Sequence, residues 1–211
     1  VAGVNMGALK EDMVNICVHG HEPLLFESMI DAANDPANIE KAKAAGAKGI
    51  NLVGMCCSGA EVLARHGVAH AGNFMSTEAV VATGAIDAMA VDVQCIMQAL
   101  GAVAKCYGTK FFTTNSRARI DVAIHIEYND HHGRECTDQV VDMAIERFKN
   151  RPAKVTIPSR LDMGIHGFSH EYVNYMLGGT FRGSYVPLND NIINRSEEHT
   201  SEFQSRLHLV C

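Results

Sequence analysis

The sequence predicts a doubly wound α/β fold, in which a mostly parallel β-sheet carries helices on both faces. Up to about residue 150, short runs rich in β-branched residues alternate with amphipathic runs, which is the pattern of parallel strands joined by crossover helices. The chain has 211 residues, of which 47% are hydrophobic and 20% are charged. A chain of this size buries a core without needing disulfides or a metal to hold it.

The elements follow one another in α/β order. Pro23 suits the first turn of a helix, and Gly46 marks the end of the next one. Strands are predicted at the β-branched runs, residues 14–18, 49–55, 88–93, 110–114 and 122–126. Helices are predicted where apolar residues recur at helical spacing, at 24–33, 39–45, from 60, 77–83, 96–105, 135–148 and 170–177.

Two proline-containing steps predict a domain boundary. Arg151-Pro152 and Ile157-Pro158 end the alternating pattern, so residues 1–157 form the first predicted domain and residues 158–194 an incomplete second α/β domain. Residues 195–211 change abruptly to a polar composition that resembles translated read-through of a sequencing adapter, and we exclude them from fold and function. Because the chain opens on Val1 without an initiator methionine, we expect a fragment.

Composition excludes several functional classes. The net charge is −6, which argues against nucleic-acid binding, because that function needs a basic surface. No apolar run reaches the ~20 residues of a membrane span, and no secretory segment opens the chain. Seven irregularly spaced cysteines predict reduced thiols and a cytoplasmic location.

Three predicted loops after strands carry the candidate chemistry. They are residues 19–22 (HGHE), 56–59 (CCSG) and 94–95 (QC), and ligands of open α/β sheets bind at the carboxyl ends of the strands. Thiolates with an imidazole suit iron, nickel, zinc or an iron–sulfur cluster. Buried cysteines acting as small hydrophobic residues, a Cys57 nucleophile with His21 as base, and a phosphate-binding turn at 54–59 in a nucleotide-binding module remain alternatives.

The loops lie within longer blocks that resemble a known family. The blocks are VNICVHGHEP (14–23), GINLVGMCCSG (49–59), VDVQCIM (91–97), and GFSH (167–170) with MLGGTFRGSYVPLNDNIIN (176–194). In this order they resemble the anaerobic nickel–iron carbon monoxide dehydrogenases over residues 1–194. The resemblance implies a catalytic-subunit fragment that covers the Rossmann-like middle domain and the start of the C-terminal domain. The hybrid-cluster proteins are the nearest confusable family.

The resemblance also implies a ligand set and a reaction. His21 and Cys57 match ligands of the pendant iron, and Cys95 matches a ligand of the iron–sulfur core, in a nickel–iron–sulfur C-cluster; His19 and Cys56 are then neighbours. No catalytic residue beyond these metal ligands is implied. The family oxidises CO with water to CO2, protons and electrons, and three further C-cluster cysteines and the 4Fe-4S relay clusters would lie outside this chain. Implied partners are a ferredoxin-like electron acceptor, a second copy of the full-length parent and acetyl-CoA synthase.

Overall fold

A computed structural model describes residues 2–63, 65–151, 155–165 and 169–176. The chain divides into two compact units, Val1–His166 and Gly167–Cys211. This division falls after the predicted boundary at residue 157, because Met163–Gly164 pair with Ala2–Gly3 inside the first unit. The proposed tail 195–211 lies outside the described residues, as does 177–194, so the predicted second domain and tail stay predictions.

Eight strands lie in the described part of the chain: β1 (Ala2–Gly3), β2 (Val14–His19), β3 (Ile50–Met55), β4 (Ala69–Gly72), β5 (Ile86–Val91), β6 (Lys110–Thr113), β7 (Ile124–His125) and β8 (Met163–Gly164). Six of them form one sheet in the order β4-β3-β2-β5-β6-β7, and every neighbouring pair is parallel. Strands β1 and β8 form a separate antiparallel pair. The predicted doubly wound sheet is therefore confirmed.

The α-helices of the first unit are α1 (Pro23–Asn34), α2 (Pro36–Ala44), α3 (Cys56–Ser58), α4 (Thr77–Ala82), α5 (Ala99–Tyr107) and α6 (Gly133–Lys149). A π-helical turn, Gly59–Leu63, continues α3. Side chains cap two of the helix starts: Glu22 accepts a hydrogen bond from the Leu24 N–H, and Asp35 accepts one from the Ala37 N–H. In the second unit the described residues contain α7 (His170–Met176).

Helices cover both faces of the sheet, and a core lies on each side. On one face α1 and α6 pack on alternate residues of the central strands, including Ile16, Ala90 and Phe112. On the other face α4 and α5 pack on the intervening residues, including Val53 and Met89. Strands β2 and β5 are buried along their whole length, as expected for central parallel strands between two helical layers.

Two predicted boundaries were wrong, and one strand was not predicted. Strand β5 begins at Ile86 rather than residue 88, because Asp87 is a buried strand residue paired with Arg151 and not an interruption. Helix α5 begins at Ala99 rather than residue 96. Strand β4 was missed because its sequence, AHAG, lacks the β-branched residues that usually mark a strand.

No helix in the described ranges has the length and apolar character needed to cross a membrane.

Candidate metal centre

The candidate site lies where the order of the sheet reverses, between β2 and β5. His19, the last residue of β2, is in register with Met55 of β3 and Val91 of β5. Because the three strands are parallel, the segments that follow them open on the same edge of the sheet. The predicted residues His21, Cys57 and Cys95 belong to these three segments, and this crevice is the usual ligand position in doubly wound folds.

Hydrogen bonds join the three segments to one another. The Ser58 N–H donates to the Gly20 carbonyl at 3.3 Å, which links the cysteine turn to the histidine turn. His19 Nε2 lies 3.0 Å from the Cys95 carbonyl oxygen, which links β2 to the segment after β5. The segments therefore form one connected structure rather than three independent loops.

The His21 ring has a defined orientation. Its Nδ1 lies 3.2 Å from the carbonyl oxygen of Val93. A carbonyl oxygen only accepts, so Nδ1 carries the hydrogen and donates it, which leaves the lone pair of Nε2 available. Histidines that bind metals characteristically donate their other ring N–H in this way. The His21 residue is also partly exposed.

The cysteines at the site differ in their surroundings. Cys57 is exposed, Cys95 is half-buried and Cys56 is buried. Burial raises the pKa of the Cys56 thiol to about 12, and the neighbouring Cys95 and Cys57 thiols add to the rise. Cys56 is thus the cysteine whose thiol interacts with Cys95, whereas Cys57 faces outward; the assignment of Cys57 as a ligand stays a prediction.

The remaining described cysteines lie elsewhere. Cys17 is buried in β2 and Cys136 is buried near the start of α6. Burial raises the pKa of both thiols, that of Cys136 to about 11. Cys106 is exposed on α5. Protonated, buried thiols of this kind are poor metal ligands, because the thiolate is the species that binds.

A buried aspartate, Asp92, holds the histidine turn, and sequence reasoning did not assign it a role. It directly follows β5 and is 1% exposed. Its carboxylate accepts hydrogen bonds from the backbone N–H groups of His21, Glu22 and Val93. Burial raises the pKa of Asp92, and these N–H donors oppose the rise. The sequence could have pointed to Asp92 through its position, because it is an acidic residue directly after a buried strand and three residues before Cys95.

The backbone at the site is strained. Among the residues that the structure describes, the non-glycine residues with positive φ are Cys56, Gln94 and Cys95, at 60°, 61° and 53°. Such conformations are sparsely populated by L-residues and concentrate at functional sites. Cys56 directly follows β3, and Gln94 and Cys95 lie in the segment that follows β5. The alternative of a phosphate-binding turn at 54–59 gains no support, since the sequence there matches neither G-x-G-x-x-G nor the P-loop pattern with its lysine.

The donor chemistry fits a metal–sulfur group, although the site is not a closed metal cage. Two thiols and an imidazole nitrogen are soft or borderline donors, which suit iron, nickel and iron–sulfur clusters. Within residues 2–63, 65–151, 155–165 and 169–176, no three His, Cys, Asp or Glu side chains are arranged to hold a metal ion by themselves.

Comparison with known proteins identifies the relatives of this sequence. The model of the Prismane/CO dehydrogenase family matches residues 1–196. The chain is 45% identical over 190 residues to carbon monoxide dehydrogenase 1 of Methanosarcina mazei, covering 90% of this chain and 30% of that protein. It is 47% identical over 182 residues to the carbon monoxide dehydrogenase/acetyl-CoA synthase subunit beta of Moorella thermoacetica, covering 84% and 26%.

A solved structure has the same fold. A nickel-free crystal structure of carbon monoxide dehydrogenase from Thermococcus sp. AM4 superposes with a TM-score of 0.78 at 46% identity, covering 89% of this chain and 29% of that one. The chain thus spans about 30% of the length of the relatives it matches.

Proposed function

Because the chain belongs to the Prismane/CO dehydrogenase family, we propose that it is part of the catalytic subunit of an anaerobic carbon monoxide dehydrogenase, an oxidoreductase. The reaction would be the oxidation of CO with water to CO2, two protons and two electrons. The relatives named carbon monoxide dehydrogenase favour this activity over that of a hybrid-cluster protein. The observation that carries the proposal is the convergence of a histidine turn and two cysteine segments where the sheet order reverses.

The proposed role of this chain is to hold one side of a nickel–iron–sulfur C-cluster. His21, through Nε2, and Cys57, through its thiolate, would bind an iron, and Cys95 would bind the iron–sulfur core. When bound, the cluster supplies a Lewis-acidic iron for water and a soft nickel for CO. The protein orients the imidazole through the His21–Val93 hydrogen bond and fixes the spacing of the segments through the Ser58–Gly20 and His19–Cys95 bonds.

We expect this chain alone to be inactive. His21, Cys57 and Cys95 are three of the six C-cluster ligands that the family resemblance implies, and metal geometry is set by the whole ligand set. The whole protein would also require the 4Fe-4S relay clusters, a ferredoxin-like electron acceptor and a second copy of itself. The relative named as a subunit of carbon monoxide dehydrogenase/acetyl-CoA synthase supports acetyl-CoA synthase as a further partner of the whole protein.

Metal retention by cysteine variants tests the ligand assignment. The chain is reconstituted anaerobically with iron and sulfide, desalted, and its iron content measured. We expect Cys57→Ser and Cys95→Ser each to reduce retained iron, whereas Cys106→Ser, a matched change at another exposed cysteine, should not. The assignment would be refuted if the retained iron did not change in Cys57→Ser and Cys95→Ser but fell when Cys17, Cys106 or Cys136 was replaced.

A further inference from the structure

The strongest unexplained group at the site is the carboxylate of Asp92. It is buried at the carboxyl end of β5, and nothing in the proposed ligand set uses it. A buried carboxylate is unfavourable unless it is hydrogen-bonded, so its partners show what it stabilises. Those partners are backbone N–H groups on two different segments, the histidine turn after β2 and the segment that leads from β5 to Cys95.

Both carboxylate oxygens accept hydrogen bonds from the histidine turn, and Oδ1 also accepts one from the segment after β5. Oδ1 lies 2.9 Å from the His21 nitrogen and also accepts from the Val93 N–H. Oδ2 lies 2.8 Å from the His21 nitrogen and 2.5 Å from the Glu22 nitrogen. One oxygen therefore contacts the backbone N–H of both His21 and Val93, the two residues joined by the His21 Nδ1–Val93 carbonyl bond.

Gly20 adapts the turn to this carboxylate. Its φ is 141°, and a Cβ placed there would lie 1.6 Å from Asp92 Oδ1. Only glycine allows the turn to approach the carboxylate so closely. The same residue accepts the hydrogen bond from Ser58 N–H through its carbonyl at 3.3 Å, so the position of the turn also affects the segment that carries Cys57.

We propose that Asp92 is a positioning residue that orients His21 for metal binding. By holding the His21 and Val93 backbones on one carboxylate, it aligns the Val93 carbonyl with Nδ1–H and leaves Nε2 as the nitrogen that faces the ligand. This inference rests on the proposed function for the identity of the ligand, but the orientation of the ring is a property of the protein alone.

Asparagine at position 92 is the informative substitution. It keeps the size of the side chain, but it replaces one acceptor oxygen with an NH2 group that would face backbone N–H donors. Donors cannot pair with donors, and both carboxylate oxygens of Asp92 face the His21 N–H, so in either orientation of the amide the NH2 group opposes that N–H and weakens the hold on the histidine turn. Asp92→Glu keeps the acceptors but moves them, and we expect it to restore the ring orientation only in part.

The first test reads the His21 tautomer in the full 211-residue chain without metal. Ring nitrogens are observed by long-range 1H–15N NMR of histidine-labelled protein at mildly alkaline pH, and His21 is assigned from His21→Gln. We expect His21 to be protonated on Nδ1 in the unsubstituted chain and to be a mixture of tautomers in Asp92→Asn. A ring protonated on Nε2 in the unsubstituted chain would overturn the proposal whether or not any variant folds.

The second test measures Co2+ affinity from thiolate-to-metal absorption. We expect Asp92→Asn to weaken Co2+ binding about 10- to 100-fold, the usual effect of losing a group that orients a ligand. Asp87→Asn, a change at the other buried aspartate of the same strand region, serves as the matched control and should lower the unfolding midpoint without altering the tautomer or Co2+ affinity. An Asp92→Asn protein with unchanged tautomer and affinity would overturn the proposal.

The two tests separate this inference from the proposed function. If Asp92→Asn changes the His21 tautomer while Co2+ binding is indifferent to Cys57→Ser and Cys95→Ser, the positioning role stands and the assigned ligand set is wrong. If Co2+ binding depends on those cysteines but the tautomer is independent of Asp92, the ligand set stands and the positioning role is wrong.

Discussion

Replacing Arg151 with methionine removes one partner of an ion pair buried at the amino end of β5. The side chains of Arg151 and Asp87 are 6% and 0% exposed. The guanidinium binds both carboxylate oxygens of Asp87 and also donates to the carbonyls of Glu11 and Met13, at 2.7 and 2.8 Å. Methionine preserves most of the aliphatic volume but leaves the Asp87 carboxylate without its counter-charge.

The expected loss of stability is large. Breaking a buried pair from one side costs about 3–5 kcal/mol, a substantial part of the roughly 5–15 kcal/mol that stabilises a typical domain. For a chain of this size each kcal/mol corresponds to about 2–4 °C. We therefore expect Arg151→Met to lower the midpoint of thermal unfolding by about 6–20 °C.

The loss of stability in Arg151→Met should also depend on pH. Burial raises the pKa of Asp87, and Arg151 opposes the rise, so removing Arg151 raises that pKa further. A carboxyl group with a folded pKa above its unfolded value, about 4, binds its proton more tightly when folded. The folded state then loses stability as the pH rises above the unfolded value. We expect the Arg151→Met deficit to be smaller at about pH 5 than at about pH 8.

Urea and thermal unfolding followed by far-UV circular dichroism measure this effect. The double variant Asp87→Leu/Arg151→Met should recover much of the loss, because an apolar pair leaves no buried charge. Lys41→Met is the control, since the Lys41–Asp142 pair is half-exposed and should change stability by less than about 1 kcal/mol. A deficit below about 1 kcal/mol for Arg151→Met, or one that does not grow with pH, would refute the reasoning.

Three further predictions concern the cysteines, the activity and the C-terminal residues. Under native conditions iodoacetamide should modify the exposed Cys57 and Cys106 before Cys17 and Cys136, whose pKa burial raises; mass spectrometry showing Cys136 reacting as fast as Cys57 would contradict this. The chain supplied anaerobically with iron, sulfide and nickel should show no CO oxidation with an artificial electron acceptor, and measurable turnover would disprove the ligand-count argument. Deleting residues 195–211 should change the free energy of unfolding by less than about 1 kcal/mol, and a larger loss in urea titration would assign those residues to the fold.

The central strand and the longest described helix were predictable because their residues satisfy local and tertiary preferences together. Strand β2 (Val14–His19) and helix α6 (Gly133–Lys149) match the predicted residues 14–18 and 135–148 to within two residues at each end. In α6 the buried Val140, Val141 and Ala144 recur on one face, so the periodicity that predicts a helix also fixes the side that packs on the sheet.

Elements whose stability depends on distant partners were harder to predict. Asp87 is polar in the sequence but belongs to β5, because Arg151, 64 residues away, neutralises it. Strand β4 has two alanines, a histidine and a glycine, and it forms by pairing with β3 at the edge of the sheet. In both cases the deciding contact joins residues far apart in the chain, where local propensity carries no information.

The least predictable feature is the strained backbone at the candidate site, and two histidines explain how it is maintained. His19 Nε2 lies 3.0 Å from the carbonyl oxygen of Cys95, and His70 Nε2 lies 3.2 Å from that of Cys56. A carbonyl oxygen accepts, so each ring donates to a cysteine whose φ is positive.

Burial lowers the pKa of His19 to about 4, so its ring stays neutral near neutral pH and Nε2 keeps a single, fixed hydrogen. A left-handed conformation at a non-glycine residue costs on the order of 1–3 kcal/mol and persists only where surrounding contacts impose it. His19 and His70 therefore have a structural role beside the candidate ligands, because they hold the carbonyls of Cys95 and Cys56. These hydrogen bonds help to fix the turns that bring the cysteine segments to the same edge of the sheet as His21.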